Sequence, residues 1–93
     1  MIISNINKDE LLSDFATKLP DIRKKLGISQ SELGDKVGLS RQSISSIERG
    51  TVQLSWNIFL VIALVVFVND PKIFENIAAD ERYLAVIESL KTN

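Results

Sequence analysis

Residues 29–50 decide the fold of this chain and have the sequence SQSELGDKVGLSRQSISSIERG. Ser29 and Glu32 have the spacing of a capping box, in which each side chain accepts the backbone N–H of the other residue at the start of a helix. Gly38 supplies the left-handed backbone that ends a helix, and Ser40 is a suitable N-cap for the next one. The stretch therefore predicts two short helices joined by a tight turn.

A further helix is predicted upstream of this pair. Apolar residues recur at helical spacing over residues 11–26. Pro20 falls inside the pattern, where it removes a backbone donor and crowds the preceding turn. We therefore expect either one kinked helix, or a short helix that ends near Lys18 and a second that starts at Pro20. Asn7 or Asp9 is the expected N-cap.

The downstream half predicts more helices, one of them unusually apolar. Ser55 is placed to cap a helix that reaches about Val68 and is apolar on nearly every side. Asp70 and Pro71 then start one last helix, or a pair, that reaches about Leu90. Both sides of this apolar helix must be shielded from water. Either other helices of the same chain or a second copy of the chain could do this. We favour the homodimer, because a monomer of this size would expose part of such a surface.

Composition excludes most catalytic chemistry. The 93 residues include neither cysteine nor histidine. This removes disulfides, thiolate nucleophiles, histidine triads and the common zinc sites. An enzyme would depend on carboxylates, lysines and hydroxyls, and no glycine-rich phosphate loop is present. We therefore expect no catalytic activity, no metal and no cofactor.

The sequence also favours a cytoplasmic protein. No basic region follows Met1, as a signal peptide would require. The apolar run at residues 56–68 is shorter than the about 20 residues of a membrane-spanning helix. The absence of cysteine fits a reducing compartment. We therefore expect no membrane partner.

Charge is distributed unevenly despite a net charge of −1. Residues 18–50 contain seven basic and four acidic side chains, whereas the rest of the chain contains four basic and eight acidic ones. The basic excess could form a footprint on phosphates, and scattered surface charge is an equally open interpretation.

The second helix of the pair has two distinct faces on a helical wheel. Ile44 and Ile47 share one face, and Arg41 and Glu48 lie between the faces. The opposite face carries Gln42, Ser45, Ser46 and Arg49. Arg and Gln pair bidentately with guanine and adenine edges in the major groove, and small serines allow close approach. A solvated helix face would show the same pattern, so the wheel alone leaves both interpretations open.

The spacing of these residues resembles the Cro/repressor-type helix-turn-helix, the family that includes lambda repressor and Cro. The resemblance covers about Leu19 to Val66. It depends on Ser29, Gln30, Leu33, Gly38, Ser40, Ile44, Ile47, Glu48 and Gly50. It implies an all-α, lambda-repressor-like bundle of about five helices with a C-terminal helical extension. Residues 1–93 would form a single domain, with the helix-turn-helix core at 19–68 and an extension at 69–93 that contributes to dimerisation.

The resemblance also implies roles for individual residues. Gln30 corresponds to a residue that bonds a phosphate and steadies the recognition helix. The base-reading positions of the family correspond to Arg41, Gln42, Ser45 and Ser46. Its phosphate-holding positions correspond to Ser43, Arg49 and Thr51. Arg23 and Glu48 resemble a structural ion pair. Gly34 stands where the family usually has alanine. It predicts a less stable second helix, since glycine lowers helix stability by about 1 kcal/mol relative to alanine.

The expected function is therefore that of a DNA-binding transcriptional regulator of the repressor type. A homodimer would read a near-palindromic operator in double-stranded DNA through the major groove. The alternative is an antitoxin or another protein-interaction module with the same fold. Its toxin partner would contact the acidic residues Asp80, Glu81 and Glu88.

Overall fold

The structure, a computed structural model, describes residues 8–92. Within them lie six helices: α1 (Lys8–Leu26), α2 (Gln30–Val37), α3 (Arg41–Glu48), α4 (Trp56–Asn69), α5 (Pro71–Ala78) and α6 (Glu81–Leu90). The described part of the chain contains no strand. The all-α fold is confirmed, and the last segment is a pair of helices.

The caps around α2 and α3 form as their spacing predicts. The Ser29 hydroxyl accepts the N–H of Glu32 at 3.0 Å, and the Glu32 carboxylate accepts the N–H of Ser29 at 3.0 Å. Gly38 follows α2 with φ 80°, in the left-handed region that only glycine adopts without strain. Ser40 caps α3 by accepting the N–H of Ser43 at 3.1 Å. These local bonds fix where both short helices begin.

The structure corrects two expectations about α1. The helix continues through Pro20 as a single element, so the alternative of two helices is wrong. Leu19 and Ile22 on either side of the proline are buried in the same core, and their packing holds the chain helical across it. Asp9 is also not the N-cap, because it lies inside the first turn of α1. The other candidate, Asn7, lies outside the described residues.

The core is formed mainly by α1 to α4. Its fully buried large side chains are Leu11, Leu19, Leu33, Ile44, Leu54, Ile62 and Val66. Helix α3 packs on α2 and α1, and α4 packs on the same two helices. Phe15 and Phe59 meet edge to face with ring centroids 4.8 Å apart. The core thus holds α3 with one face inward and the other toward solvent.

Helices α5 and α6 cover part of α4 and are tied back to α1. Tyr83 of α6 stacks on Phe59 of α4, with ring centroids 5.9 Å apart. Arg82 donates to Asp14 of α1 and, at 2.9 Å, to Asp80, which also caps α6. These contacts fix the start of α6 against the core.

Helix α4 is only partly covered. Phe59, Ile62 and Val66 are buried. Its exposed apolar side chains are Leu60, Val61, Leu64, Phe67 and Val68. Over residues 8–92, no helix combines the length and the apolar character needed to cross a membrane. The exposed side of α4 is therefore an uncovered apolar surface of a small helical domain.

Candidate nucleic-acid interface

Helix α3 presents a polar face to solvent. Ile44 and Ile47 are 0% and 4% exposed, which fixes the rotation of the helix about its axis. The stripe opposite them has the spacing i, i+3, i+4, i+7 and consists of Gln42, Ser45, Ser46 and Arg49. Gln42 and Arg49 are exposed, and the two serines are half-buried. Short side chains thus lie in the middle of the face and long ones at its ends.

The first turn of α3 is held by a pair of serines and leaves a donor free. Ser40 donates its hydroxyl hydrogen to the Ser43 oxygen at 3.0 Å while accepting the Ser43 N–H. The Ser43 oxygen is thus an acceptor here, and its own O–H can still donate. Arg41 is exposed beside it. The N-terminal end of α3 therefore offers donors, as an anionic partner requires.

The loop after α3 is fastened to the end of the helix. The Ser46 carbonyl accepts the Thr51 N–H at 3.0 Å, the Thr51 hydroxyl at 3.1 Å and the Val52 N–H at 3.3 Å. Gly50 makes the turn possible with φ 77°. The resemblance implies a phosphate contact for Thr51, whereas in the structure its hydroxyl donates to the Ser46 carbonyl. Arg49 is exposed at the start of the same loop.

A partly buried polar cluster ties α3 to α1 and α2. Glu48 accepts from Arg23 Nε at 2.6 Å, from Arg23 Nη2 at 3.0 Å and from Gln30 Nε2 at 3.0 Å. The side chains of Arg23 and Glu48 are 15% and 5% exposed. The hydrogen bond to Glu48 raises the pKa of Arg23 above its usual value, with burial opposing it. The cluster fixes the last turn of α3 to both neighbouring helices.

Gln30 of α2 has a contact that no spacing in the sequence indicates. The resemblance implies that Gln30 bonds a phosphate and steadies the recognition helix, and one of its amide hydrogens is directed at Glu48 of α3, 18 residues away. No local spacing rule links residues so far apart. The amide carries a second hydrogen, which can still donate to a partner.

Gly34 lies within α2, at the point where the turn that leads to α3 packs against this helix. Its carbonyl accepts the N–H of Gly38 at 2.8 Å and of Leu39 at 2.9 Å. A Cβ atom at this position would collide with the Leu39 carbonyl oxygen. From the sequence alone, Gly34 is only a residue that weakens the helix. The structure shows that the missing side chain lets the turn close against α2.

Comparison with known proteins agrees with this geometry. A family model described as helix-turn-helix matches residues 21–63, which include α2 and α3. Residues 21–63 are therefore similar to the helix-turn-helix family, in agreement with the arrangement of α2, the turn and α3.

A curated relative can also be named. The "Uncharacterized HTH-type transcriptional regulator YgzD" of Bacillus subtilis (strain 168) is 42% identical over 33 residues. These residues are 36% of this chain and 50% of the relative, so the chain spans half the length of the curated relative it matches. No solved structure matches the chain significantly.

Proposed function

We propose that the chain is a sequence-specific DNA-binding transcriptional regulator that inserts the outer face of α3 into the major groove. The observation that carries this proposal is the orientation of α3 within a helix-turn-helix domain. Its apolar face, Ile44 and Ile47, is buried, and Arg41 and Gln42 are exposed at its N-terminal end. In this class of domain, the N-terminal residues of the second helix contact base edges.

Base recognition is assigned to the N-terminal and middle parts of the face. Gln42 can pair bidentately with adenine and Arg41 with guanine. Ser45 and Ser46 follow on the same side, and their short side chains allow the helix backbone to approach the base pairs. The name of the YgzD relative, a transcriptional regulator, supports a regulatory role.

Phosphate contacts are assigned to the rim of this face. The second amide hydrogen of Gln30 and the O–H of Ser43 are the donors at the start of α2 and α3. Arg49 supplies a charge at the far end of α3. Thr51 contributes by turning its hydroxyl from the Ser46 carbonyl to a phosphate oxygen. Such contacts set the register on the duplex and leave sequence choice to the base contacts.

We further propose that two copies act together as a repressor in the cytoplasm. The support is the uncovered side of α4, where Val61 and Val68 are 37% and 73% exposed, and the exposed Leu84 of α6. Dimerisation through α4 and residues 69–93 would place two recognition helices about 34 Å apart on a near-palindromic operator.

The alternative of a toxin partner receives little support from the acidic residues that suggested it. Asp80 is bonded to Arg82, and Glu88 pairs with Lys91 at 3.0 Å. Two of the three carboxylates are therefore paired with a basic side chain within the chain.

Selection from a random pool of double-stranded DNA tests the proposed function. The full chain should enrich a near-palindrome with half-sites about 10 base pairs apart. Gln42→Glu should lose this enrichment, because a carboxylate cannot donate to adenine as the Gln42 amide does. The new negative charge suits a helix N-terminus, so the variant should still fold. Asn76→Asp, exposed on α5, is the matched control and should enrich the same sequence. Recovery of no common sequence by the full chain would contradict the proposal.

A further inference from the structure

A groove on the side of the molecule formed by α1, α4, α5 and α6 has no role in the proposed DNA contact. Its volume is about 640 Å³. Most of its wall is apolar, with Phe15, Phe59, Leu60, Phe74, Ile77 and Ile87 among the lining residues. This volume lies in the range of small-molecule sites, about 300 to 1,000 Å³.

The polar groups around the groove are all able to donate hydrogen bonds. Among its described lining residues, side-chain polar atoms come from Lys8, Trp56 and Tyr83. Among these described residues Lys8 supplies the only charge, and none of them carries a carboxylate or a side-chain amide. The Tyr83 phenol is protonated at neutral pH, and burial raises its pKa further, to about 12. The wall is therefore complementary to an apolar body that ends in an acceptor group with negative charge.

We propose that this groove binds an amphiphile with an elongated apolar body and a single anionic head, such as a long-chain carboxylate. The hydrocarbon lies between α4 and α6, and the carboxylate pairs with Lys8. A second copy of the chain is the competing occupant. Val61 and Val68, named above for the dimer, do not line the groove, whereas Leu60 and Leu64 on the same exposed side of α4 do. A second copy that covers this side of α4 would therefore compete with the ligand.

A tryptophan in the groove can serve as an intrinsic fluorescence probe of ligand binding. Trp56 is the only tryptophan in the sequence and lines the groove. Dodecanoate, kept below its micellar concentration and added to the full chain without DNA, should change the tryptophan fluorescence saturably with one ligand per chain. Because no DNA is present, failure here leaves the DNA-selection experiment unaffected.

Three variants distinguish the groove and its charge from nonspecific binding. Lys8→Gln should weaken dodecanoate binding about two- to fivefold, as expected for an exposed charge pair, without weakening binding of dodecyltrimethylammonium. Lys72→Gln, an exposed lysine outside the groove, is the matched control and should change neither. Ala78→Leu, which narrows the groove, should weaken both ligands.

Several outcomes would overturn the proposal. One is the absence of a saturable signal, and another is an equal response of Lys8→Gln and Lys72→Gln to dodecanoate. A third is a fluorescence change that follows protein concentration and molecular mass without ligand, which would show that a second copy fills the groove. Lys8→Gln alters an exposed side chain, so the test stays decisive if Ala78→Leu fails to fold by circular dichroism.

Discussion

Arg23 on α1 donates to both carboxylate oxygens of Glu48, the last residue of α3, at 2.6 and 3.0 Å. The two residues are 25 positions apart, and both side chains are largely buried. Gln30 of α2 adds a third donor to the same carboxylate. Because the three donors come from two different helices, Glu48 holds the C-terminal end of the proposed recognition helix in a defined orientation.

A double-mutant cycle on Arg23→Gln and Glu48→Gln should therefore show strong coupling. Either single change leaves a buried polar or charged group poorly paired, so the double variant should be more stable than the sum predicts by about 0.5 to 3 kcal/mol. Urea unfolding monitored by circular dichroism measures each free energy. The Glu88–Lys91 pair, with both side chains 65% exposed, is the control and should couple by less than about 1 kcal/mol. Additive effects at Arg23 and Glu48 would contradict the assigned role.

Gly34→Ala should destabilise the protein although alanine is the better helix former. The gain in helix propensity is about 1 kcal/mol, but the new Cβ would collide with the Leu39 backbone. Overpacking of this kind costs about 1 to 3 kcal/mol. Asp35→Ala at the exposed neighbouring position is the control, and its unfolding midpoint should not fall. If Gly34→Ala instead raises the free energy of unfolding by about 1 kcal/mol, the turn can move away from the new Cβ atom.

Gln42→Ala and Gln30→Ala should separate base contacts from phosphate contacts. Truncation of Gln42 should remove about 1 to 3 kcal/mol of discrimination at one base pair and leave nonspecific binding nearly unchanged. Truncation of Gln30 should weaken binding to operator and scrambled DNA by similar factors. Titrations of both DNAs at fixed salt measure the difference. If both variants keep wild-type affinity and preference, the proposed reading face is wrong.

Arg41→Ala should show which partner Arg41 contacts. A phosphate contact predicts that the slope of log affinity against log salt falls by about one, with sequence preference unchanged. A contact to guanine predicts relaxed preference at one position instead. The same titrations at several salt concentrations distinguish the two. Unchanged slope and preference would remove Arg41 from the interface.

The Asp80–Arg82 contact should affect how the free energy of unfolding depends on pH in acid. The hydrogen bond from Arg82 lowers the pKa of Asp80 to about 2. The pKa of an aspartate in the unfolded chain is about 3.9. The contribution of this contact to the free energy of unfolding is therefore present above that pH and is lost as the pH falls toward 2. The difference in urea midpoint between the wild type and Asp80→Asn should therefore shrink from pH 5 to pH 2. A difference that is constant over this range would contradict the assigned pairing.

Much of the local structure could be predicted from the sequence. The caps at Ser29, Ser40 and Ser55 depend on hydrogen bonds to groups within three residues, so spacing alone reveals them. The sequence left open whether α1 continues through Pro20 or is divided there, because this depends on how the flanking residues pack. The contact between Arg82 and Asp14 joins residues 68 positions apart, and no periodic pattern contains it.

The sequence by itself determined that α3 has a buried face at Ile44 and Ile47 and a polar face opposite, since helical periodicity assigns side chains to faces without knowledge of the fold. Tertiary structure decided which polar groups on that side remain available to a partner. The Ser43 hydroxyl keeps its hydrogen, whereas Thr51 and one amide hydrogen of Gln30 are directed at Ser46 and Glu48. The groove beside α4 exists only because α5 and α6 return along the core. Both outcomes depend on where distant segments meet, and local spacing does not encode that.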